Sequence, residues 1–392
     1  FRTYTNPTAG DTPTVVNLDH VAINTGGPEY SVGIRADHKG ASVIGVNTDI
    51  TTTAKKSFGV EVDDGGAVQL TNGTITTSGD QAAGVRAYTG TSTETDPRGQ
   101  FGPGIVTLTG TTIKTSGAKA AGLLAGDADE PTAGIINATN VTITTSGSGA
   151  HAAAATNGSS ITLSGGTLTA EGSGYGLYVA GAGSSITATN GTVIQTDGGK
   201  YAVQAVDGGQ VSLSGGSVTN AGTTSDRTTV YATGVGTSVT TQDVALKNTA
   251  AGLGTGDLSN VVSAASQASV TLNGGSVSSE SSTFGRGILA SSGASVTANG
   301  VDISTVGTLS NAVHAYSKQQ LLTDTADTAF ITLDSGTVGT SGDNSYGLFA
   351  QNKGSSVSTT GSTVVTTTGA NSFGAVAYNG GVWNLAGVAL TT

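Results

Sequence analysis

The sequence predicts an all-β solenoid: a right-handed parallel β-helix of about 13–14 coils, with about 25 residues and three short strands per coil. Three observations support this fold class. One short segment recurs fourteen times along the 392 residues. Within each copy, apolar and polar residues alternate over runs that are too short for a helix. Gly and Asn stand between the runs, where turns require positive φ.

The first two strands of each coil are recognised from their repeated form. The copies at 159–172, 209–222 and 268–281 read "SSITLSGGTLTAEG", "GQVSLSGGSVTNAG" and "ASVTLNGGSVSSES". Each copy contains an alternating run, a Gly turn, a second run and another turn. Val, Ile and Leu occupy one face of each run, whereas Ser and Thr occupy the other, which is typical of strands with one buried face.

The third strand lies between these copies, in runs such as "SVGIRA", "AAGVRA" and "YGLFA". Most steps from one run to the next are 25 to 27 residues, and the longer steps mark insertions at 89–104, 126–134 and 316–329. The position that is usually Gly in this strand is expected at Gly33, Gly59, Gly84, Gly122, His151, Gly176, Ala202, Thr229, Val261, Gly287, Ala312, Gly347 and Gly374.

Stacking explains why the repeat must be long. Each run pairs with its copy in the next coil as a parallel strand about 4.8 Å away. A single coil cannot bury its own apolar face, so the fold needs many coils. The usual handedness of parallel crossovers predicts a right-handed helix.

The composition excludes several classes of partner and cofactor. The net charge is −11, and no run of Lys or Arg stands out, so we expect no nucleic-acid partner. The absence of Cys excludes disulfides and thiolate metal sites. The four His residues form no close pair, and no nucleotide-binding loop is recognisable, so no metal and no cofactor are expected.

The repeated G-x-V-x-L-x-G-G-x-V unit, with its S-Y-G-L-x-A third strand, resembles the passenger domains of bacterial autotransporters of the pertactin-like group. The resemblance runs from about Val15 to Leu390 and implies a single β-helix passenger domain over residues 1–392. It also implies a C-terminal translocator barrel in the outer membrane. Because the chain stops within the repeat at "LAGVALTT", we expect that barrel to be absent from this chain. Contact with a membrane would then require the missing barrel.

The same resemblance implies a virulence factor at the bacterial cell surface, or one secreted after cleavage. Such passengers are most often adhesins. The implied partners are a host surface glycan, an extracellular-matrix protein, a receptor, or the same protein on a neighbouring cell.

Two sets of residues are candidate ligand sites. The first is an outward-facing column two residues after the Gly-like position, and we expect its side chains to face solvent. The column reads Arg35, Glu61, Arg86, Leu124, Ala153, Tyr178, Gln204, Tyr231, Ser263, Leu289, His314, Phe349 and Val376. From this face we select as ligand-binding Arg35, Glu61, Arg86, Tyr88, Tyr178, His314, Tyr316 and Phe349. The second set lies in the insertions and comprises Glu94, Asp96, Arg98, Phe101, Asp127, Asp129, Glu130 and Lys318.

Two alternative functions remain open. Carboxylates in the early coils, at Asp37, Glu61, Asp63 and Asp64, should lie near Arg35, His38 and Arg86. Paired carboxylates beside Arg could serve a lyase or glycosidase acting on polysaccharide. Alternating charge along a ladder is also explained by ion pairing between strands; we favour this structural explanation and expect no enzyme. The other alternative is a passive stalk.

Overall fold

The computed structural model describes residues 1–4, 13–90, 102–126, 133–222, 226–249, 258–318 and 327–392. These residues form 39 strands, numbered β1–β39 in chain order, and contain no α-helix. Nowhere in these ranges is there a helix with the length and apolar character needed to cross a membrane. The chain divides into two compact units, Phe1–Ile194 and Gln195–Thr392.

The first unit is a parallel β-helix with three lanes of stacked strands. Its first-strand lane contains β2(Thr14–Asp19), β5(Ala41–Val46), β8(Ala67–Thr71), β11(Ile105–Thr109), β14(Ile135–Thr139), β17(Ser160–Ser164) and β20(Ser185–Thr189). Its second-strand lane contains β3(Ala22–Thr25), β6(Asp49–Thr52), β9(Thr74–Thr77), β12(Thr112–Thr115), β15(Thr142–Thr145), β18(Thr167–Ala170) and β21(Val193–Thr196), which spans the unit boundary. Its third-strand lane contains β1(Arg2–Tyr4), β4(Ile34–Asp37), β7(Val60–Asp63), β10(Val85–Ala87), β13(Leu123–Ala125), β16(Ala153–Thr156) and β19(Leu177–Ala180).

The second unit repeats the same arrangement. Its third-strand lane contains β22(Tyr201–Val206), β25(Thr228–Thr233), β28(Ser259–Ala265), β31(Gly285–Ser291), β33(Val313–Tyr316), β35(Tyr346–Gln351) and β37(Phe373–Tyr378). The first and second strands are separate in β23(Gln210–Ser214), β24(Ser217–Asn220), β26(Ser238–Gln242), β27(Ala245–Asn248), β29(Ser269–Asn273), β30(Ser276–Ser279), β38(Val382–Leu385) and β39(Val388–Thr391). They run together as one strand in β32(Ser295–Thr305), β34(Ala329–Thr340) and β36(Ser355–Thr367), which are longer than the short runs that the sequence predicts.

The core of each unit is built from identical positions in successive coils. In the first-strand lane, Val68 pairs in register with Val106, and Val106 with Ile136; all three side chains are buried. Parallel pairing places equivalent residues one above the other, so β-branched side chains fill the interior as continuous stacks. The predicted right-handed parallel β-helix is confirmed, and the fourteen copies of the repeat correspond to fourteen pairs of first and second strands.

A buried hydroxyl closes the corner that leads into the third strand. Thr77 and Thr115 each donate to the backbone oxygen of the residue five positions later, at 2.6 Å. Thr145 makes the same bond at 2.9 Å. A Thr at this interior position therefore satisfies a turn carbonyl that would otherwise be unpaired.

In five coils the Gly-like position is Gly and faces an Ile of the second-strand lane. A Cβ added to Gly122 would meet Cγ2 of Ile143 and, at 2.6 Å, the backbone oxygen of Ala152. The same Gly and Ile face each other at Gly33 and Ile50, Gly59 and Ile75, Gly84 and Ile113, and Gly287 and Ile303. In the coil after Gly122 the position is Ala152, and Leu168 takes the place of Ile143. In this coil the extra methyl group accompanies a facing side chain without the β-branch.

Two details differ from the sequence-based expectation. The Gly-like position just before β16 is Ala152 and not His151, because the backbone N–H of Leu123 donates to the oxygen of Ala152 at 2.9 Å. The run "RTY" of β1 was not predicted, because three residues carry too little periodic signal.

Candidate functional site

A charged cluster lies on the outer face of the third-strand lane in the first unit. Strands β4, β7 and β10 stack so that Arg35 is in register with Glu61, and Glu61 with Arg86. Two residues farther along the same strands, Asp37 is in register with Asp63. The intervening side chains point into the core, so strand alternation places these charges together on the outside of the sheet.

Ion pairs connect the cluster across the coils. Arg35 Nη2 lies 2.6 Å from Asp63 Oδ2, and Arg35 Nη1 lies 3.5 Å from Glu61 Oε2. Arg86 Nη1 donates to Glu61 Oε1 at 3.1 Å. Because the side chains of Glu61 and Asp63 are only 5% and 4% exposed, these pairs are shielded from solvent and act at short range.

The edge of the cluster is held by further hydrogen bonds. The Tyr88 hydroxyl donates to Asp63 Oδ2 at 3.0 Å, and the backbone N–H of Gly90 donates to Asp64 Oδ1 at 2.7 Å. The Arg86 guanidinium lies over the rings of Tyr88 and Phe58, at 4.1 and 4.9 Å from the ring centroids. Arg86 therefore has an ion-pair partner and two cation–π contacts.

Burial changes the protonation of the cluster. It raises the pKa of Asp63 to about 7; the Arg35 guanidinium opposes this rise, and the like charges of Asp37 and Glu61 add to it. Burial, with the two nearest carboxylates, also raises the pKa of Tyr88. Burial lowers the pKa of Arg35, but the surrounding carboxylates outweigh this effect and the net shift is upward. The arrangement therefore favours a proton on Asp63.

One group in the described part of the chain has the spacing of a metal site. Ligand atoms of Asp37, His38 and Asp64 lie within 4.8 Å of one another, although the sequence contains no paired His motif. Asp37 accepts from Arg2 at 2.9 Å and contacts the His38 ring, and Asp64 accepts from Gly90. These atoms are thus engaged with protein groups, which makes the set a weak candidate for a metal centre.

Aromatic rings form contacts on the same outer face farther along the first unit. The His151 ring stacks on Tyr178 at 4.9 Å between centroids and lies 4.8 Å from Tyr175. The backbone N–H of Tyr175 donates to His151 Nδ1 at 3.0 Å. Burial lowers the pKa of His151 to about 4, so this ring is neutral near pH 7 and packs as an aromatic group.

The second unit carries a larger set on its third-strand lane, which we call the aromatic patch: His314, Tyr316, Tyr346, Phe349 and Phe373. His314 stacks on Phe349 at 4.6 Å, and Tyr346 lies 5.0 Å from Phe349 and 6.1 Å from Phe373. Phe373 is 55% exposed, whereas His314 is 4% exposed. The patch therefore offers apolar ring area to solvent over a buried imidazole.

The predicted outward column is in the predicted register, with one correction. On β16 the column residue is Ala154, not Ala153, because Ala154 pairs with Leu124 and with Tyr178. The expected exposure is wrong for much of the column. Glu61, Arg86 and His314 are buried, and so is the neighbouring Tyr88. Arg35, Tyr178, Tyr316 and Phe349 are half-buried.

The physical reason is lateral packing. Side chains of adjacent coils on a parallel lane lie close enough to cover one another, through ion pairs in the first unit and ring stacking in both units. The insertion residues Glu94, Asp96, Arg98, Phe101, Asp127, Asp129 and Glu130 lie outside the described residues, and Lys318 is exposed.

Sequence reasoning missed a second outward column, immediately before the Gly-like position. It contributes Phe58, Tyr175, Tyr201, Arg286, Tyr346 and Phe373. Tyr201 stacks on Tyr231 at 4.6 Å in the second unit. The recurrence of aromatic residues just before the Gly-like position was the signal that could have identified this column.

Comparison with known proteins bears on the fold alone. No protein-family model matches the chain, and no curated protein matches it. The chain is similar to a solved structure described as the cryo-EM structure of the Vag8–C1 inhibitor complex, with a TM-score of 0.54 and 18% sequence identity over 96% of each chain. The resemblance to autotransporter passengers is thereby confirmed at the level of the fold, the parallel β-helix of a passenger domain such as Vag8.

Proposed function

We propose that this protein is a bacterial surface or secreted virulence factor that acts as an adhesin through the outer face of its third-strand lane. The observation that carries the proposal is the aromatic patch, where Phe349 contacts both His314 and Tyr346 on a sheet face. Aromatic side chains with exposed ring area are enriched at the centres of binding surfaces.

The kind of partner follows from the same fold. Vag8 is described in complex with C1 inhibitor, which supports a host protein as one class of partner for this chain. A host glycan and a second copy of the protein on a neighbouring cell remain alternatives. Because fold alone does not determine function, the side chains of the outer face must decide among them.

A matched pair of variants tests the proposal. Phe349→Ser removes a ring from the centre of the patch, whereas Phe330→Ser removes an aromatic ring that is 46% exposed on the first-strand lane of the same unit. We expect Phe349→Ser to weaken binding to host matrix, glycan or receptor panels at least about 10-fold, as for a hot-spot residue. Phe330→Ser should bind as the unaltered chain does. Equal binding by the two variants, or no binding by the unaltered chain and by cells displaying it, would refute the proposal.

A second candidate function, polysaccharide cleavage, is favoured by the raised pKa of Asp63 beside Glu61, which resembles the arrangement of a general acid. Against it, these carboxylates are buried and bonded to Arg side chains, and we propose a structural role for them. Depolymerisation of an acidic polysaccharide by the unaltered chain, lost in Glu61→Ala, would establish the enzyme instead.

A further inference from the structure

Arg286 differs from the arginines of the charged cluster in having no acidic partner among the residues that the structure describes. In the first unit, Arg35 and Arg86 each lie in register with the buried carboxylate of Glu61. In the second unit, Arg286 occupies the outer face of β31, with Asn260 in register on β28. The described residues of β28, β31, β33 and β35 contain no Asp or Glu, and none of the described acidic residues pairs with Arg286.

The guanidinium is also partly withdrawn from water. The side chain is half-buried, burial lowers the pKa of Arg286, and the described part of the chain places no carboxylate against it to offset this effect. Its neighbour His314 adds no charge near pH 7, because burial and the Arg286 charge lower the pKa of His314 to about 3. A desolvated cation without a partner carries an energetic cost that an anionic ligand would relieve.

Asn311 adds a second donor beside this cation. The backbone N–H of Gly287 donates to the oxygen of Asn311 at 3.1 Å, which places Asn311 one coil beyond Arg286. The Asn311 side chain accepts the backbone N–H of Tyr346 through Oδ1 at 3.1 Å. This bond commits the acceptor end of the amide and leaves its N–H₂ end to donate elsewhere.

We infer that Arg286 and Asn311 form a binding site for the carboxylate of an acidic sugar, a uronic acid unit of a glycan. The inference rests on the proposed function and specifies the ligand class at the same face. Arg is suited to bidentate carboxylate binding. The half-exposed rings of Tyr316 and Phe349 lie one and two coils farther along this lane and supply flat apolar surfaces for the sugar ring.

Titration calorimetry of the purified chain with trigalacturonate, and with its neutral carboxyl-reduced counterpart, tests the inference. We expect binding of trigalacturonate only, and a loss of about 10- to 100-fold in Arg286→Gln, as expected for a hydrogen bond to a charged group. Lys247→Gln, which removes one exposed positive charge of the same unit, should leave binding unchanged.

Asn311→Asp supplies a readout that does not depend on the ligand. The new carboxylate would lie beside Arg286, as Glu61 lies beside Arg86 in the first unit, while its Oδ1 can still accept from Tyr346. We expect this variant to lose trigalacturonate binding and to melt at a temperature no lower than that of the unaltered chain. A fall in melting temperature would show that a carboxylate beside Arg286 does not stabilise the fold, which would contradict the energetic basis of the site.

Each of the remaining outcomes is decisive. No binding of trigalacturonate, equal binding of the neutral trisaccharide, or full binding by Arg286→Gln would overturn the site. Tighter binding of a triglutamate peptide than of trigalacturonate, lost in Arg286→Gln, would replace the sugar with an acidic protein segment. If the site fails while Phe349→Ser still loses adhesion, the proposed function stands and only the ligand class is wrong.

Discussion

Substitution of Gly122 by Ala should destabilise the first unit by a steric mechanism that a second substitution can relieve. The added Cβ would meet Cγ2 of Ile143 and would lie 2.6 Å from the backbone oxygen of Ala152, closer than the approximately 3 Å limit seen for real Cβ atoms. Ile143 is fully buried and stiff at χ1, and the backbone oxygen belongs to a parallel ladder. Neither atom can move freely, so we expect a cost near the upper end of core overpacking, about 3 kcal/mol.

The relieving change copies the next coil. Ala152 is tolerated where Leu168 takes the place of Ile143, so Gly122→Ala combined with Ile143→Leu should recover about 1 kcal/mol or more. Ile143→Leu alone should cost less than about 1.5 kcal/mol. The expected signature is therefore a favourable coupling energy between two neighbouring positions.

Guanidinium unfolding followed by circular dichroism measures these free energies, with unchanged slopes as the check on comparability. Gly158→Ala is the control, because Gly158 has φ +77° and no heavy atom within 4 Å of an added Cβ. Its cost of about 1 kcal/mol should come from backbone strain alone, and Ile143→Leu should not change it. A Gly122→Ala chain as stable as the original, or strictly additive double-variant energies, would refute the reasoning.

Two further predictions concern buried polar groups. The folded chain keeps a proton on Asp63 up to about pH 7, which the unfolded chain loses near pH 4, so the stability from this group is greatest at low pH and falls as pH rises to 7. Asp63→Asn should remove this contribution to the fall of the unfolding free energy with rising pH. The unfolding free energies of both chains, measured at pH 4, 5.5 and 8, test this. The same dependence on pH in both chains would show that Asp63 is not the group responsible. Thr115→Val should cost about 1–3 kcal/mol, because the Ala120 oxygen, which accepts the Thr115 hydroxyl at 2.6 Å, would be left unpaired. Denaturant unfolding measures this cost. The control is Thr107→Val, at a half-buried outward position. Equal costs for the two variants would show that the hydrogen bond from Thr115 to the corner carbonyl does not stabilise the fold.

The fold was predictable because, in a stacked repeat, equivalent positions of successive copies contact one another. Val68, Val106 and Ile136 recur at one position of successive copies, and parallel pairing can only place such positions above one another. The predicted number of copies, the three strands per coil and the meeting of Arg35, Glu61 and Asp63 all follow from this rule.

Side-chain burial and partnership on the outer face were decided only by the tertiary structure. Glu61 and His314 belong to the outward side of a strand, yet both are 4% exposed, since neighbouring coils bring charged groups or rings against them. The sequence by itself determined which residues leave the core, because strand alternation is a local property. Only the packed coils decided that Arg86 has a carboxylate partner whereas Arg286 lies beside Asn260 and Asn311, because pairing depends on the register between coils.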